Sequence, residues 1–313
     1  MNTPRIATLI YSFQCPALCG HCLYQCAPSR KSHMGIPEAQ RVILEIARAG
    51  IPYLNLSGGE PMLFYKDIIQ LAVFARIAGL RVTLTTNGYW ATSLQTALKK
   101  ISALKKSGIE LLRLSADDFH LREIPINRIE NIILAARKHA LAVTLLTVRN
   151  TKGTINTQVA NILTKHRLTH EEGTIIPLGR ASALLRAPHT FKSTPACRYI
   201  KQTITITPQK KILACCCIPQ QISPDNPLFL GDLNHTGLRQ ILQRRNARIF
   251  SLLQQGGPRL LYQTLRSKIK DATKTLPEQM HKCAFCFKFL NSEAAQRLYG
   301  GATRKKRKTI TGR

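Results

Sequence analysis

The feature that most constrains this chain is an alternation. Short runs rich in apolar and β-favouring residues, at 6–11, 53–57, 81–85, 110–114, 142–148 and 174–177, are separated by longer stretches with helical periodicity. The helical stretches cover 37–49, 66–78, 92–106, 127–139 and 155–166, with Pro37 opening the first, Asn127 expected to cap the fourth, and Gly50, Gly79 and Gly108 closing three of them. Near-continuous apolar runs belong to strands buried on both faces, which is the environment of a parallel sheet covered by helices. Six such units predict an α/β fold, a partial (β/α)6 TIM-like barrel, followed by a smaller C-terminal domain. The expected division is a barrel over 1–190, a second domain over 191–300 and a basic, disordered tail over 301–313. A length of 313 residues suits that division.

A parallel barrel gathers the C-terminal ends of its strands at one mouth. The first run leads into Cys15-Pro16-Ala17-Leu18-Cys19-Gly20-His21-Cys22. Three cysteines at spacings of four and three can form one buried helical face, but Pro16 and Gly20 favour a loop in which three sulfurs converge. Three thiolates on a [4Fe–4S] cluster, which normally takes four, leave one iron open to a small molecule. The later strand ends carry Ser57-Gly58-Gly59-Glu60-Pro61, Thr85-Thr86-Asn87-Gly88, Ser115-Ala116-Asp117-Asp118-Phe119-His120, Arg149 and Gly179-Arg180-Ala181. Taken singly, Gly58-Gly59 and Asn87-Gly88 can read as plain turns, and Asp117 or His120 as solvated polar residues. Together they put chemistry on one face.

Ten cysteines in a chain that opens without a basic, cleavable leader point to metal or redox chemistry in a reducing cytoplasm. They fall into two groups, Cys15 to Cys26 and Cys197 to Cys286, which predicts two sites. No apolar run approaches the roughly 20 residues that span a bilayer, so no transmembrane segment is expected. Lys and Arg number 46 against 16 Asp and Glu, a net charge of +30. That field attracts polyanions without choosing among nucleic acid, an acidic membrane face and an acidic peptide. No zinc-finger spacing or RNA-binding aromatic pattern singles out nucleic acid.

The C-x3-C-x2-C loop, the Gly58-Gly59-Glu60-Pro61 loop one βα unit later and the Thr85-Thr86-Asn87-Gly88 strand end resemble the radical S-adenosylmethionine (SAM) enzymes over residues 5 to about 181. The resemblance implies that Cys15, Cys19 and Cys22 hold a [4Fe–4S] cluster whose open iron binds the amino and carboxylate groups of SAM. It implies that Gly58, Gly59, Glu60 and Pro61 form the segment meeting the SAM amino group, with Asn87 and Ser115 facing the ribose and Arg149 a candidate for the SAM carboxylate. His21 departs from the aromatic residue that many members carry before the third cysteine. Cys26 is expected to be structural rather than a ligand.

In the last third, Cys197 precedes an expected hairpin at 203–206 and 212–214 that runs into Cys215-Cys216-Cys217, and Cys283-Ala284-Phe285-Cys286 follows a helix expected over 237–253. This arrangement resembles the SPASM and Twitch auxiliary-cluster domains of peptide-modifying members. The glycine usual in the hairpin is replaced near Lys210. The implied ligands of a second [4Fe–4S] cluster are Cys197, Cys215, Cys283 and Cys286, with buried structural thiols or zinc as the other readings. A leftover Cys216 or Cys217 resembles the hydrogen-atom donor of epipeptide epimerases, which also share the Ser115-x-Asp117 to His120 run and make Asp117 a catalytic candidate. The resemblance therefore implies reductive cleavage of SAM to a 5′-deoxyadenosyl radical, hydrogen abstraction from a ribosomally made peptide, and a low-potential electron donor such as flavodoxin or ferredoxin. Crosslinking or thioether maturation, RNA modification and a non-catalytic iron–sulfur role are the alternatives.

Overall fold

The computed structural model describes residues 3–150, 152–184, 196–197, 199–215, 222–243, 247–265, 281–293 and 295. Strands β1 (Ile6–Ile10), β2 (Tyr53–Ser57), β3 (Arg81–Thr86), β4 (Ile109–Ser115), β5 (Ala142–Val148) and β6 (Thr169–Gly173) pair in parallel, each with the next. Helices α1 (Ile36–Arg48), α2 (Tyr65–Ile77), α3 (Leu94–Lys106), α5 (Ile126–Lys138) and α6 (Thr157–His166) connect them, and a short α4 (Asp118–Leu121) follows β4. The result is the expected partial (β/α)6 barrel. Its main core joins the helix faces, such as Val42, Ile43 and Ile46 of α1, to strand residues such as Leu54, Leu56, Val82 and Leu84. Complete burial of an aliphatic side chain is worth about 1.5–3 kcal/mol, so this apolar stripe carries the layer packing.

The sixth strand lies earlier than the expected 174–177. All five residues of β6 are exposed, as befits the last strand of the sheet, so Thr169, His170, Glu171 and Glu172 lack the apolar pattern that marks a buried strand. Ile175 instead packs inward beside the Cys loop. Asn127 is not the cap of α5. Pro125 holds the N-cap position, and the helix begins at Ile126.

Beyond the barrel the sheet does not stop. Strand β7 (Thr203–Ile206) pairs in parallel with β1, and β8 (Lys211–Leu213) and β9 (Phe229–Asp232) continue antiparallel, giving nine strands in the order β6-β5-β4-β3-β2-β1-β7-β8-β9. Every residue of β7 is buried. The stretch expected as one helix over 237–253 contains two, α7 (Leu238–Gln243) and α8 (Ala247–Leu265), and α8 kinks at Gly257, whose φ of 63° precedes Pro258. Helix α9 (Lys282–Leu290) packs with α8 around a second core that includes Phe250, Leu253, Leu261, Phe285 and Phe289.

Candidate active site

The Cys loop follows β1 and is pinned from several sides. Ser12 O accepts from Gly59 N at 2.8 Å, and Gln14 O accepts from Glu60 N at 2.9 Å. A Cβ on Gly59 would lie 2.2 Å from Gln14 O, and one on Gly58 would lie 2.7 Å from Ser12 O. The two glycines therefore let the β2 loop press against the chain entering the Cys loop. Glu60 is completely buried, and its carboxylate accepts from Met62 N at 3.0 Å, Thr86 Oγ1 at 2.7 Å and Asn87 N at 2.7 Å. Burial pushes this carboxyl up to about 7 against those three donors. In this arrangement Glu60 ties the β2 loop to the end of β3, while Pro61 starts a buried 3-10 turn.

Asn87 is buried beside the thiols, with its Nδ2 3.5 Å from Cys15 Sγ and its Oδ1 accepting from Tyr89 N. Cys15 and Cys19 are buried and Cys22 is half-buried. Burial, and then the mutual repulsion of the sulfurs, pushes Cys19 up to about 12; burial likewise carries Cys15 up to about 12, with Cys22 adding to the rise. Cys26 is buried too, and its thiol and its N–H, the latter at 3.4 Å, both serve Cys22 Sγ, drawing that thiol down to about 6. Three soft donors on one loop, with N–H···S bonds from Cys26 and Asn87, fit the donor chemistry of a [4Fe–4S] cluster with one open iron.

One further residue grips the loop. Arg180 donates from its backbone N to Cys22 O at 3.0 Å, from Nη1 to Cys19 O at 2.7 Å and from Nη2 to Cys26 O at 2.6 Å. Sequence reasoning placed Arg180 at the mouth without a role; only the fold reveals that it reaches three carbonyls.

A cavity of about 280 Å³ opens at the ends of β4, β5 and β6, lined by residues that include His21, Ser115, Asp117, His120, Thr147 and Tyr199. Asp117 caps α4 by accepting from Phe119 N and His120 N, and its Oδ2 lies 2.8 Å from His120 Nδ1 and 3.7 Å from His21 Nε2. Burial works to raise the Asp117 carboxyl, but His120, His21 and the backbone amide of His120 outweigh it and hold the group below its usual range. His21 is pushed down to about 4, chiefly by burial and then by His120. Two buried polar atoms of residues in the lining, His21 Nδ1 and Thr147 Oγ1, have no hydrogen-bond partner among the described residues. Arg149, just past the end of β5, is not among the residues that line the cavity; it is bound to Glu172 Oε1 at 2.6 Å and Gly153 O at 2.8 Å, so its guanidinium is already engaged.

The second cysteine group gathers around the second core. Cys197, Cys215 and Cys286 pack against it, and Cys197 N donates to Leu253 O at 3.0 Å. Burial raises the Cys286 thiol and Cys197 adds to that rise. Cys283 lies one turn before Cys286 on α9, its N–H donating to the cap residue His281. Cys216 and Cys217 lie outside the described residues. No described helix is long and apolar enough to cross a membrane.

Two solved structures share the fold: anSMEcpe with bound AdoMet and the Cp18Cys peptide, at TM-score 0.55 and 14% identity over 96% of this chain and 100% of that one, and BtrN in complex with AdoMet and 2-DOIA, at TM-score 0.55 and 14% identity over 82% and 89%. Among curated sequences, YydG of Bacillus subtilis (strain 168), named for peptide biosynthesis, is 25% identical over 40% of this chain and 40% of its own. An AdoMet-dependent heme synthase of Methanosarcina barkeri (strain Fusaro / DSM 804) is 34% identical over 37% and 32%. The chain thus spans about two fifths or less of the length of these two relatives. The sequence model of the Radical SAM superfamily matches residues 9–165, half of the chain. Because that match begins inside β1, takes in the whole Cys loop and ends within α6, the chain belongs to the Radical SAM superfamily.

Proposed function

We propose that this chain is a radical SAM enzyme that abstracts hydrogen from a ribosomally synthesised peptide, with L-to-D epimerisation as the specific outcome. The observation that carries the reading is the junction of the Cys15, Cys19 and Cys22 loop, through His21, with a cavity at the same barrel mouth whose lining includes Ser115, Asp117 and His120. When bound at that loop, a reduced cluster and SAM supply a carbon-centred radical able to take a hydrogen atom. The chain's own part is to hold and enclose. Cys26 N–H and Asn87 Nδ2 hydrogen-bond the ligand sulfurs, and Ser115, Asp117 and Thr147 offer polar atoms to the ribose and its neighbours. Enclosure by Phe119, Ile124 and Tyr24 around the loop keeps competing hydrogen donors away.

Peptide as substrate is favoured by the peptide named in the anSMEcpe structure and by the naming of YydG. Cys197, Cys215, Cys283 and Cys286 are proposed to hold an auxiliary cluster in a domain over 191–300, with Cys216 or Cys217 returning a hydrogen atom to the substrate carbon. The +30 charge suits an acidic donor such as flavodoxin or ferredoxin. It also favours a second reading, a radical enzyme acting on RNA, in which turnover would require tRNA and fall with salt.

The test is anaerobic incubation of iron-reconstituted protein with SAM and dithionite. 5′-Deoxyadenosine should form in the wild type and in Cys26→Ala and should be lost in Cys15→Ala, Cys19→Ala and Cys22→Ala. No 5′-deoxyadenosine from the wild type ends the enzyme reading. Turnover of a candidate peptide in deuterium oxide should place one deuterium at an α-carbon, and the label should vanish in Cys216→Ala or Cys217→Ala.

A further inference from the structure

A single residue from the far end of the barrel holds the cluster loop. Arg180 receives the carbonyls of Cys19, Cys22 and Cys26 through three separate N–H donors. The residue before it, Gly179, has φ +61°, and a Cβ there would lie 2.2 Å from Leu23 O. The backbone at 179–180 is thus pressed onto the loop as closely as atoms allow, in a conformation that glycine adopts without strain. The segment is fastened on both sides: Leu178 is buried in the second core, and Ala181 is fully buried in the core around the Cys loop.

The charge of Arg180 is as informative as its reach. Its guanidinium meets two carbonyl oxygens and no carboxylate among the described residues. A half-buried cation without a counter-charge is costly unless something anionic lies near it. Three thiolates on a [4Fe–4S]2+ core carry one net negative charge, and one-electron reduction makes it two. Cluster potentials respond to nearby charge and to the environment of the sulfurs, and a fixed cation beside the loop opposes the cost of the added electron.

We propose that Arg180 is a positioning residue for the cluster, clamping the Cys15–Cys22 loop through the three carbonyls and biasing the bound cluster toward its reduced form. The inference rests on the reading that Cys15, Cys19 and Cys22 hold the cluster. It goes beyond that reading in naming what sets the ease of reduction and the tightness of the loop.

The experiment compares wild type, Arg180→Lys and Arg180→Met, all full-length and iron-reconstituted without SAM. Two readouts are used: the reduced fraction against applied potential, followed by electron paramagnetic resonance, and the rate of iron loss to a chelator. Arg180→Met should lower the ratio of reduced to oxidised cluster about tenfold at fixed potential, equal to ~59 mV for a one-electron couple. Arg180→Lys keeps the charge but cannot fork to both carbonyls. It should keep that ratio within about threefold while losing iron several-fold faster than wild type. An unchanged ratio in Arg180→Met overturns the electrostatic part, and unchanged iron loss in Arg180→Lys overturns the clamp. Should Arg180→Met take up no iron, the Lys variant's release rate decides the clamp and Arg180→Gln replaces Met for the potential. A wild type that binds no iron defeats the cluster reading itself, a result distinct from either.

Discussion

Glu60 shows how a residue selected for one purpose serves another. The family resemblance directs attention to it as a contact for SAM, yet its two oxygens are occupied by Met62 N, Thr86 Oγ1 and Asn87 N. Its pKa rises from 4.5 to about 7, mainly through burial. The folded form therefore holds this proton more tightly than the unfolded chain does. The contribution of Glu60 to stability is fully present below about pH 4.5 and is lost as pH climbs through about 7, by roughly 3 kcal/mol. Glu60→Gln should flatten that slope in urea melts at pH 5 and pH 8. It should also cost about 1–3 kcal/mol at pH 5, because an amide nitrogen would face a donor where an oxygen accepted.

At the scale of elements, the Gly58-Gly59 loop and the entry to the Cys loop are one fitted joint. Gly59→Ala places a methyl group 2.2 Å from Gln14 O, so either Gly59 N–Ser12 O or Glu60 N–Gln14 O must open. Loss of those bonds should cost about 1–3 kcal/mol and show as reduced iron retention with the barrel's far-ultraviolet circular dichroism unchanged. The buried strands and most helices were legible in the sequence because their periodicity reports burial: β2 and β5 begin and end where the apolar runs do. Strand β6 was not, since an exposed edge leaves no apolar trace, and Ile175 and Ile176 drew the expected strand four or five residues too late. The site divides the same way. Cys15, Cys19 and Cys22 announce themselves by spacing, and Asp117 by its place after a strand. The Asp117–His120 pair spans one local turn, but the approach of His21 to Asp117 and the grip of Arg180 on a loop about 160 residues earlier exist only after folding, because they join segments distant in sequence.

On the scale of the whole molecule, the main core and the second core, with the smaller one around the Cys loop, share one sheet. Phe285 is fully buried in the second core, stacked on Phe289 at 5.0 Å with Tyr262 at its edge. Phe285→Ala should destabilise this part by about 3–5 kcal/mol. If Cys283 and Cys286 on the same helix serve an auxiliary cluster, the variant should fall from two clusters' worth of iron to one while still cleaving SAM. Iron analysis together with a 5′-deoxyadenosine assay checks both halves. The register between Ile6 and Thr203 has a further consequence, one of timing. Roughly 200 residues separate these neighbouring strands, on the order of 10 to 40 s of synthesis at a ribosome. Throughout that interval β1, the strand that feeds the Cys loop, keeps one edge unpaired. Strand β1 is thus closed long after it is made, and the loop that follows it acquires the walls supplied by Arg180 and β7 only once residues 180–206 have been synthesised.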